Sequence, residues 1–440
     1  MTTSGAAQAA RTIGTLGLLT LALPANAVVT VASLLVTPLA RRRPDVAARP
    51  RTVMVSGGKM TKALALARSF HAAGHRVVLV EKATYRLTGH RFSRAVDAFR
   101  TVPDPRDPGY AEALLAVVRA EGVDVYVPVC SPVASVFDAR AAEVLAGHCE
   151  VLSCTPDEVA LLDDKHRFAE LAASLGLAVP DTHLVTSPEQ VLDFDFTGRR
   201  RPYVLKSIAY DPVNRLDLTQ LPLPTRAETE AFVAGKPISP DNPWILQEFV
   251  AGREYCTHTT ARDGEVQVYC CCDSSAFQVN YAMVDDPEIE QWVATLVKGL
   301  GLSGQVSFDF MRADDDGVAY AIECNPRTHS AITMFYDHPG LADAYLETGG
   351  PRVLPTAASR PTYWLYHELW RALSRPSTAL ERLRVVLEGK DAVFALGDPL
   401  PFFVLHHVEI PALLLANLRR GGRWNRVDFN IGKLVEPAGD

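Results

Sequence analysis

The chain has 440 residues, of which 48% are hydrophobic and 22% charged, with a formal net charge of −7. This length allows two or three domains with cores of their own, and the composition is that of an ordinary globular protein. The acidic balance excludes a protein built on a basic nucleic-acid-binding surface. Its eight cysteines show no CxxC pair and no disulfide-framework spacing, which fits a reducing compartment. The triplet Cys270-Cys271-Cys272 reads as buried, reduced and structural, within a strand.

Residues 12–40 carry no charge and are followed by Arg41-Arg42-Arg43. The run is long enough to span a bilayer, and the basic residues behind it favour a cytoplasmic body. Pro24 divides it, which leaves a kinked span, a re-entrant hairpin and an interfacial anchor open. A secretory signal is the rival reading, because Ala25-Asn26-Ala27 resembles a cleavage site, although the apolar run continues past it. Residues 1–50 are thus an expected membrane-attachment segment on a cytoplasmic protein.

A small Rossmann-like α/β domain is expected over 51–154. A strand at 52–56 leads through Gly57-Gly58 into a helical pattern at 62–73, and a second strand at 75–80 ends at Glu81. A helix at 111–121 and a strand at 123–129 follow. Lys59 and Met60 stand where a GxGxxG turn needs its second glycine, so dinucleotide binding is not expected and Gly57-Gly58 reads as a tight turn.

Over 155–360, Asp163-Asp164-Lys165 precedes a helix at 168–175 that closes at Gly176. A buried strand at 202–207 carries Lys206, a charge that is costly there without an anionic partner. Strands are expected at 244–250, 254–260 and 265–272, and then an amphipathic helix at 288–299 with Ile289, Trp292, Val293, Leu296 and Val297 on one face. In 306–330, Val306, Phe308 and Phe310 alternate with Ser307 and Asp309, and a second apolar run covers 318–324. Asp314-Asp315-Asp316-Gly317 is a turn signal, so the segment folds as a hairpin with Asp309 opposite Glu323, to within one step of register. Asn325 shares the face of Glu323. Two carboxylates and an amide oxygen gathered in this way suit Mg2+ held together with phosphates. Arg327 and His329 follow and can clamp a phosphoryl group or an anionic substrate, although a structural hydrogen bond within the loop serves His329 equally well. The last stretch, 361–440, is aromatic- and leucine-rich and reads as a helical cap on the catalytic body, with a second membrane-facing surface as the rival.

Taken together, Lys165, Lys206, Gln247-Glu248-Phe249-Val250, Glu254, Asp309, Glu323, Asn325 and Arg327 resemble the pattern of the ATP-grasp ligases over 155–350. The resemblance implies an ATP-grasp fold behind the Rossmann-like domain, an α/β and α+β chain with a mostly helical extension. It implies that Lys165 and Lys206 contact ATP phosphates, with Gln247 at the adenine amino group and Glu254 at the ribose hydroxyls. The backbone of Glu248, Phe249 and Val250 would read the adenine edge. Asp309, Glu323 and Asn325 would hold Mg2+ or Mn2+, and Arg327 would stabilise the transferring phosphoryl group. One departure stands out. Residues 207–215, where that family has a glycine-rich phosphate loop, contain no glycine, and Arg215 or Ser207 is the expected replacement.

A finer resemblance, to the mycosporine-glycine-forming ligases, rests on residues 323–333, Asp337-His338-Pro339, 398–402 and 428–435. It implies ATP-driven condensation of 4-deoxygadusol, a cyclohexenone, with the amino acid glycine. Two alternatives accompany it. One is a carboxylate–amine ligase or a carbamoyl-phosphate-synthase-like enzyme, and the other is a membrane-associated nucleotide-binding protein without turnover.

Overall fold

The computed structural model describes residues 5–40, 47–129, 131, 134–209, 211, 213–214, 217–274 and 280–436. It opens on one long helix, α1 (Gly5–Ala40). The expected division at Pro24 does not occur, which overturns the re-entrant hairpin. The proline sits on an exposed turn, while Asn26, Ser33 and Thr37 hydrogen-bond the rest of the protein and keep the second half in line.

Five parallel strands then form a sheet in the order β3-β2-β1-β4-β5. They are β1 (Thr52–Val55), β2 (Arg76–Lys82), β3 (Ala98–Val102), β4 (Val125–Val127) and β5 (Glu150–Val151). Val53, Met54 and Val55 are buried on both sides of the strand, as are Val77 to Val80, the mark of a parallel sheet covered on two faces. Between β1 and helix α2 (Thr61–Ala72), Gly57 has φ +66, and a Cβ there would lie 1.9 Å from the Val129 carbonyl oxygen. The tight-turn reading of Gly57-Gly58 thus has a steric cause.

Two antiparallel sheets follow. The smaller, in the order β6-β8-β7, contains β6 (Thr182–Val185), β7 (Tyr203–Ser207) and β8 (Trp244–Glu248). The larger begins with β9 (Gly252–Arg262) and β10 (Glu265–Asp273). After the short β11 (Asn280–Tyr281) it is completed by β12 (Gly304–Ala313) and β13 (Ala319–Asn325), in the order β10-β9-β12-β13. Helix Pro287–Leu300 covers one face of this sheet, where Trp292 meets Phe308 and Phe310 at ring separations of 5.4 and 5.2 Å. The other face buries Cys256, Val268, Cys270 and Cys272 in a second core and carries polar side chains beside them. The two antiparallel sheets are tied by Arg201, which bonds Asp315 and Asp316 in the β12–β13 turn and Glu248 at the end of β8.

The C-terminal stretch is helical with short strands and packs on two partners. On the catalytic body, Thr362 and Tyr363 pair with β11, Thr362 Oγ1 meets Thr333 Oγ1 (2.8 Å) and Asn430 Nδ2 donates to Ser330 Oγ (2.8 Å). It also packs on the first sheet's helix and loops. Trp364 Nε1 donates to Thr61 Oγ1 (3.1 Å), Asp398 accepts from Arg68, Ser93 and the Arg94 amide, and Glu409 accepts from the Gly89 amide. Of its aromatic residues, Trp364 also meets Tyr281 of β11 edge-on, and Tyr366 packs against Phe402, His406 and Phe429 of the same stretch.

Candidate active site

Strand alternation decides what this second face of the large sheet presents. The register pairs Asp309 with Glu323 on one side and with Cys256 on the other. Ser307 and Asp309 of β12, Glu323 and Asn325 of β13, and Glu254, Cys256 and His258 of β9 therefore point to one side. A register shift between Asp309 and Phe310 marks a bulge, a device that re-aims side chains beside a site. The result is a cavity of about 250 Å³ lined by Ser307, Asp309, Glu323, Asn325, Arg327, Thr328 and His329.

The two carboxyls are not equivalent. Burial, with Glu323 alongside, pushes Asp309 well above the usual carboxylate range. Glu323 meets the same burial, but Lys165 and Lys206 outweigh it and hold the group down at about 2. Lys165 Nζ lies 3.7 Å from Glu323 Oε2. Lys165 is the first residue of helix Lys165–Ser174, whose first turn is fixed by Asp164 accepting from the amides of His166 and Arg167. The lysine is thus aimed by a capped helix end.

Asn325 Nδ2 donates to Asp309 Oδ2 (3.1 Å) and to Glu323 Oε1 (3.5 Å), while its Oδ1 accepts from Arg327. Arg327 also approaches Asp163 Oδ1 at 4.0 Å. The donor set fits a hard divalent cation: two carboxyls, one of them disfavoured as an anion without a counter-charge, and an unpartnered buried Ser307 Oγ. The fit requires the Asn325 amide turned over, so that its oxygen and not its nitrogen faces the acids.

Lys206 donates to Gln247 Oε1 (2.9 Å), and Gln247 Nε2 donates to Thr182 Oγ1 (3.2 Å). Burial lowers the Lys206 pKa, with Glu323 acting in the opposite direction. Beyond Gln247, the Glu248 amide is spent on the Asp181 carbonyl and the Phe249 amide on the Pro202 carbonyl. The Val250 amide has no protein partner among the described residues. Glu254 Oε1 accepts from Ser274 Oγ at 2.7 Å. Of the two candidates for the missing phosphate loop, Ser207 turns its hydroxyl onto the Ala209 carbonyl, and Arg215 lies outside the described residues.

His329 accepts the Ala331 amide at Nδ1 and packs edge-on to Tyr281. Burial, then Lys62 and Arg327, bring its pKa down to about 3, so the ring is neutral and offers only an Nε2–H. Three positioning groups have no motif to announce them. Asp163 precedes Lys165 and faces Arg327, Ser274 holds Glu254, and Lys62 of α2 donates to the Thr328 carbonyl at 2.6 Å. Only Asp163 left a trace in the sequence, as part of the acidic pair before the helix.

No family model matches the chain. Its sequence is 23% identical over 219 residues to the C-terminal section of the carbamoyl phosphate synthase large chain of Methanopyrus kandleri, covering 45% of this chain and 39% of that relative's length. Two solved structures have the same architecture. One is biotin carboxylase from Campylobacter jejuni as a β,γ-ATP complex (TM-score 0.53, 14% identity, 69% of this chain and 72% of that one). The other is N5-carboxyaminoimidazole synthetase from Staphylococcus aureus complexed with ADP (TM-score 0.53, 14% identity, 72% and 82%). The chain has the ATP-grasp fold, preceded by a parallel α/β unit and followed by a helix-rich extension.

Proposed function

We propose that the protein is an ATP-dependent, ADP-forming ligase that phosphorylates an oxygen of a small-molecule substrate and joins the activated carbon to an amine. The observation that carries this reading is the cavity that Asp309, Glu323, Asn325 and Arg327 line together, with Lys165 Nζ 3.7 Å from Glu323 Oε2. Asp309, Glu323 and the turned amide of Asn325 would hold Mg2+ or Mn2+. When bound, the ion supplies positive charge to the ATP phosphates.

Lys165 and Lys206 neutralise phosphate oxygens, the Val250 amide and Gln247 read the adenine, with Glu248 and Phe249 lending backbone shape, and Glu254 takes the ribose hydroxyls. The γ-phosphoryl passes to the substrate oxygen as ADP leaves, and Arg327 spreads the charge of the group in transit. The amine nitrogen then bonds to the carbon bearing that oxygen. The C–O bond breaks, phosphate departs with the oxygen, and the nitrogen loses a proton. The neutral His329 can donate its Nε2–H to an anionic substrate oxygen, but it cannot act as a cation.

Carboxylate–amine ligation is the broader form of this proposal, and the carbamoyl phosphate synthase and synthetase relatives support it. The finer form is condensation of 4-deoxygadusol with glycine to mycosporine-glycine, supported by the resemblance carried in 323–333, 398–402 and 428–435. An ATP-consuming reaction also favours a cytoplasmic site for the body. The test is ADP release with ATP and Mg2+ against a panel of acid–amine pairs and against 4-deoxygadusol with glycine. Equal yields of ADP and a new ultraviolet-absorbing adduct support the finer form. ADP with another pair supports only the broader one, and no ADP with any pair refutes the ligase. In whichever assay is active, Glu323→Gln is expected to lower the rate by roughly 10²–10³-fold, the cost of one lost electrostatic group in a closed site.

A further inference from the structure

We propose that α1 seats this protein in the plane of an anionic lipid bilayer, its outward face in the lipid and its polar face on the protein, without crossing the membrane.

The helix is inside out for a soluble protein. Its inward side carries Gln8, Thr12, Asn26, Thr30, Ser33 and Thr37, whereas its outward side carries Leu21, Val28 and Leu35 at 78, 69 and 74% exposure. Its most apolar 18-residue window has mean hydropathy 2.0, and only 17% of that window is buried. The inward residues are bonded in two groups, with Leu16 and Leu19 packed on the apolar core between them. Gln8 Nε2 donates to the Trp424 carbonyl and Thr12 Oγ1 accepts from Trp424 Nε1. Asn26 Nδ2 donates to the Tyr366 hydroxyl (2.6 Å) and reaches His407 Nε2 (2.7 Å), and Ser33 and Thr37 both donate to the Leu396 carbonyl.

These contacts decide the orientation. From Thr12 to Ser33 the helix rises about 30 Å, which is a full hydrocarbon thickness. An upright α1 would have to break them or drag Trp424, Tyr366 and Leu396 into the lipid. Lying flat keeps all of them. A second helix, joined to α1 through the Asn26–Tyr366 bond, also exposes apolar residues. On helix Leu365–Ser374, Leu369, Trp370 and Leu373 follow Tyr366 at the i+3, i+4 and i+7 positions and are 46, 62 and 76% exposed.

Charge selects the occupant. In a chain of net charge −7, the first 44 residues contain four arginines and no acid, with Arg11 before the apolar run and Arg41-Arg42-Arg43 after it. Both ends are basic, so two copies pairing through this face oppose arginine to arginine in either direction. An anionic headgroup layer complements both ends, at about 1 kcal/mol per basic residue near the surface. Arg419 and Arg420, exposed at the end of a helix that packs on α1, add to the same sign.

The test is flotation of the purified full chain with phosphatidylglycerol-containing and pure phosphatidylcholine vesicles. Binding is expected to the anionic vesicles, weakened by salt. The triple variant Leu21→Gln, Val28→Gln, Leu35→Gln, altered only at exposed positions, is expected to bind at least about tenfold more weakly with an unchanged melting temperature. Arg419→Glu with Arg420→Glu should weaken binding to anionic vesicles by roughly tenfold and leave the phosphatidylcholine result unchanged. An N-terminal tag should stay open to protease added outside. A protected tag means a span and overturns the in-plane reading. Absence of binding, or equal binding by the triple variant, overturns the lipid assignment, as does a dimer in solution that the triple variant dissociates without any vesicle binding.

Discussion

Replacing Asp309 by Asn is expected to make the protein more stable and inactive at the same time. Asp309 and Glu323 accept from one amide nitrogen at 3.1 and 3.5 Å, so those two carboxyl oxygens are no more than about 7 Å apart. Two full charges at that distance repel by ~2 kcal/mol at an effective dielectric constant of about 20. The nearby cations Lys165 and Lys206 relieve Glu323 chiefly, and Asp309 is left as the member pushed towards its protonated form. An amide in its place keeps the shape and can donate to Glu323. The metal-free variant should gain about 1–2 kcal/mol, which for a protein of this size raises Tm by roughly 1–2 °C. The assay is thermal unfolding without metal, repeated with Mg2+ and a non-hydrolysable ATP analogue. At a hundredfold excess over Kd the wild type should gain about 2.7 kcal/mol from the ligand, and the variant should lose most of that gain. A lower Tm without metal would refute the electrostatic account. An undiminished shift with Mg2+ and nucleotide would remove Asp309 from the ligand set.

Arg201 holds Asp315, Asp316 and Glu248 from a site only 7% exposed, so Arg201→Ala should cost about 1–3 kcal/mol. Because it tethers the sheet that carries Lys206 and the Gln247 hinge, KM for ATP should rise several-fold with kcat little changed. Arg201→Lys should rescue little, since one ammonium cannot serve three carboxylates in the fork geometry, and full rescue would refute the tether. Burial raises Glu409 to about 8 from an ordinary 4.5, although the Gly89 amide bonds it. The folded state therefore keeps a proton that the unfolded state releases between those values, and stability should fall as pH rises through that window. Glu409→Gln should flatten this part of the Tm–pH profile and exceed the wild type at pH above about 8, and superimposed profiles would count against it.

The site was legible where chemistry and period coincide. The alternation of Ser307 and Asp309 with Phe308 and Phe310, closed by the Asp314–Gly317 turn, was enough to place Asp309 opposite Glu323, and the register agrees. What was not legible is what arrives from elsewhere. β3 (Ala98–Val102) passed unread because Arg100 and Thr101 are exposed and the strand shows no apolar run. Lys62 reaches Thr328 across 266 residues. The commitment of the Glu248 and Phe249 amides to Asp181 and Pro202 depends on strand pairing that no local pattern reports. Likewise, the C-terminal aromatics signal only that something must cover them, and the partners come from three places: Thr61 of α2 and Tyr281 of β11 meet Trp364, and Phe402, His406 and Phe429 of the same stretch meet Tyr366.

The N-terminal helix shows the same limit from the other side. Hydropathy averages over a window, so an uncharged run of this length reads as a span whichever way its faces point. Yet the direction was written in the spacing. Gln8 and Thr12, then Asn26, Thr30, Ser33 and Thr37, recur at three- and four-residue steps, with Leu19 seven residues before Asn26 in the same row. In a single-pass span surrounded by lipid, such a row would be scattered or absent, because each hydroxyl or amide needs a partner. Two polar groups on one face, with Leu16 and Leu19 between them, imply a protein surface with polar partners at both places, supplied here by Trp424 and by Tyr366, His407 and Leu396. The apolar residues left outside are then exposed as a consequence of where the polar ones bind.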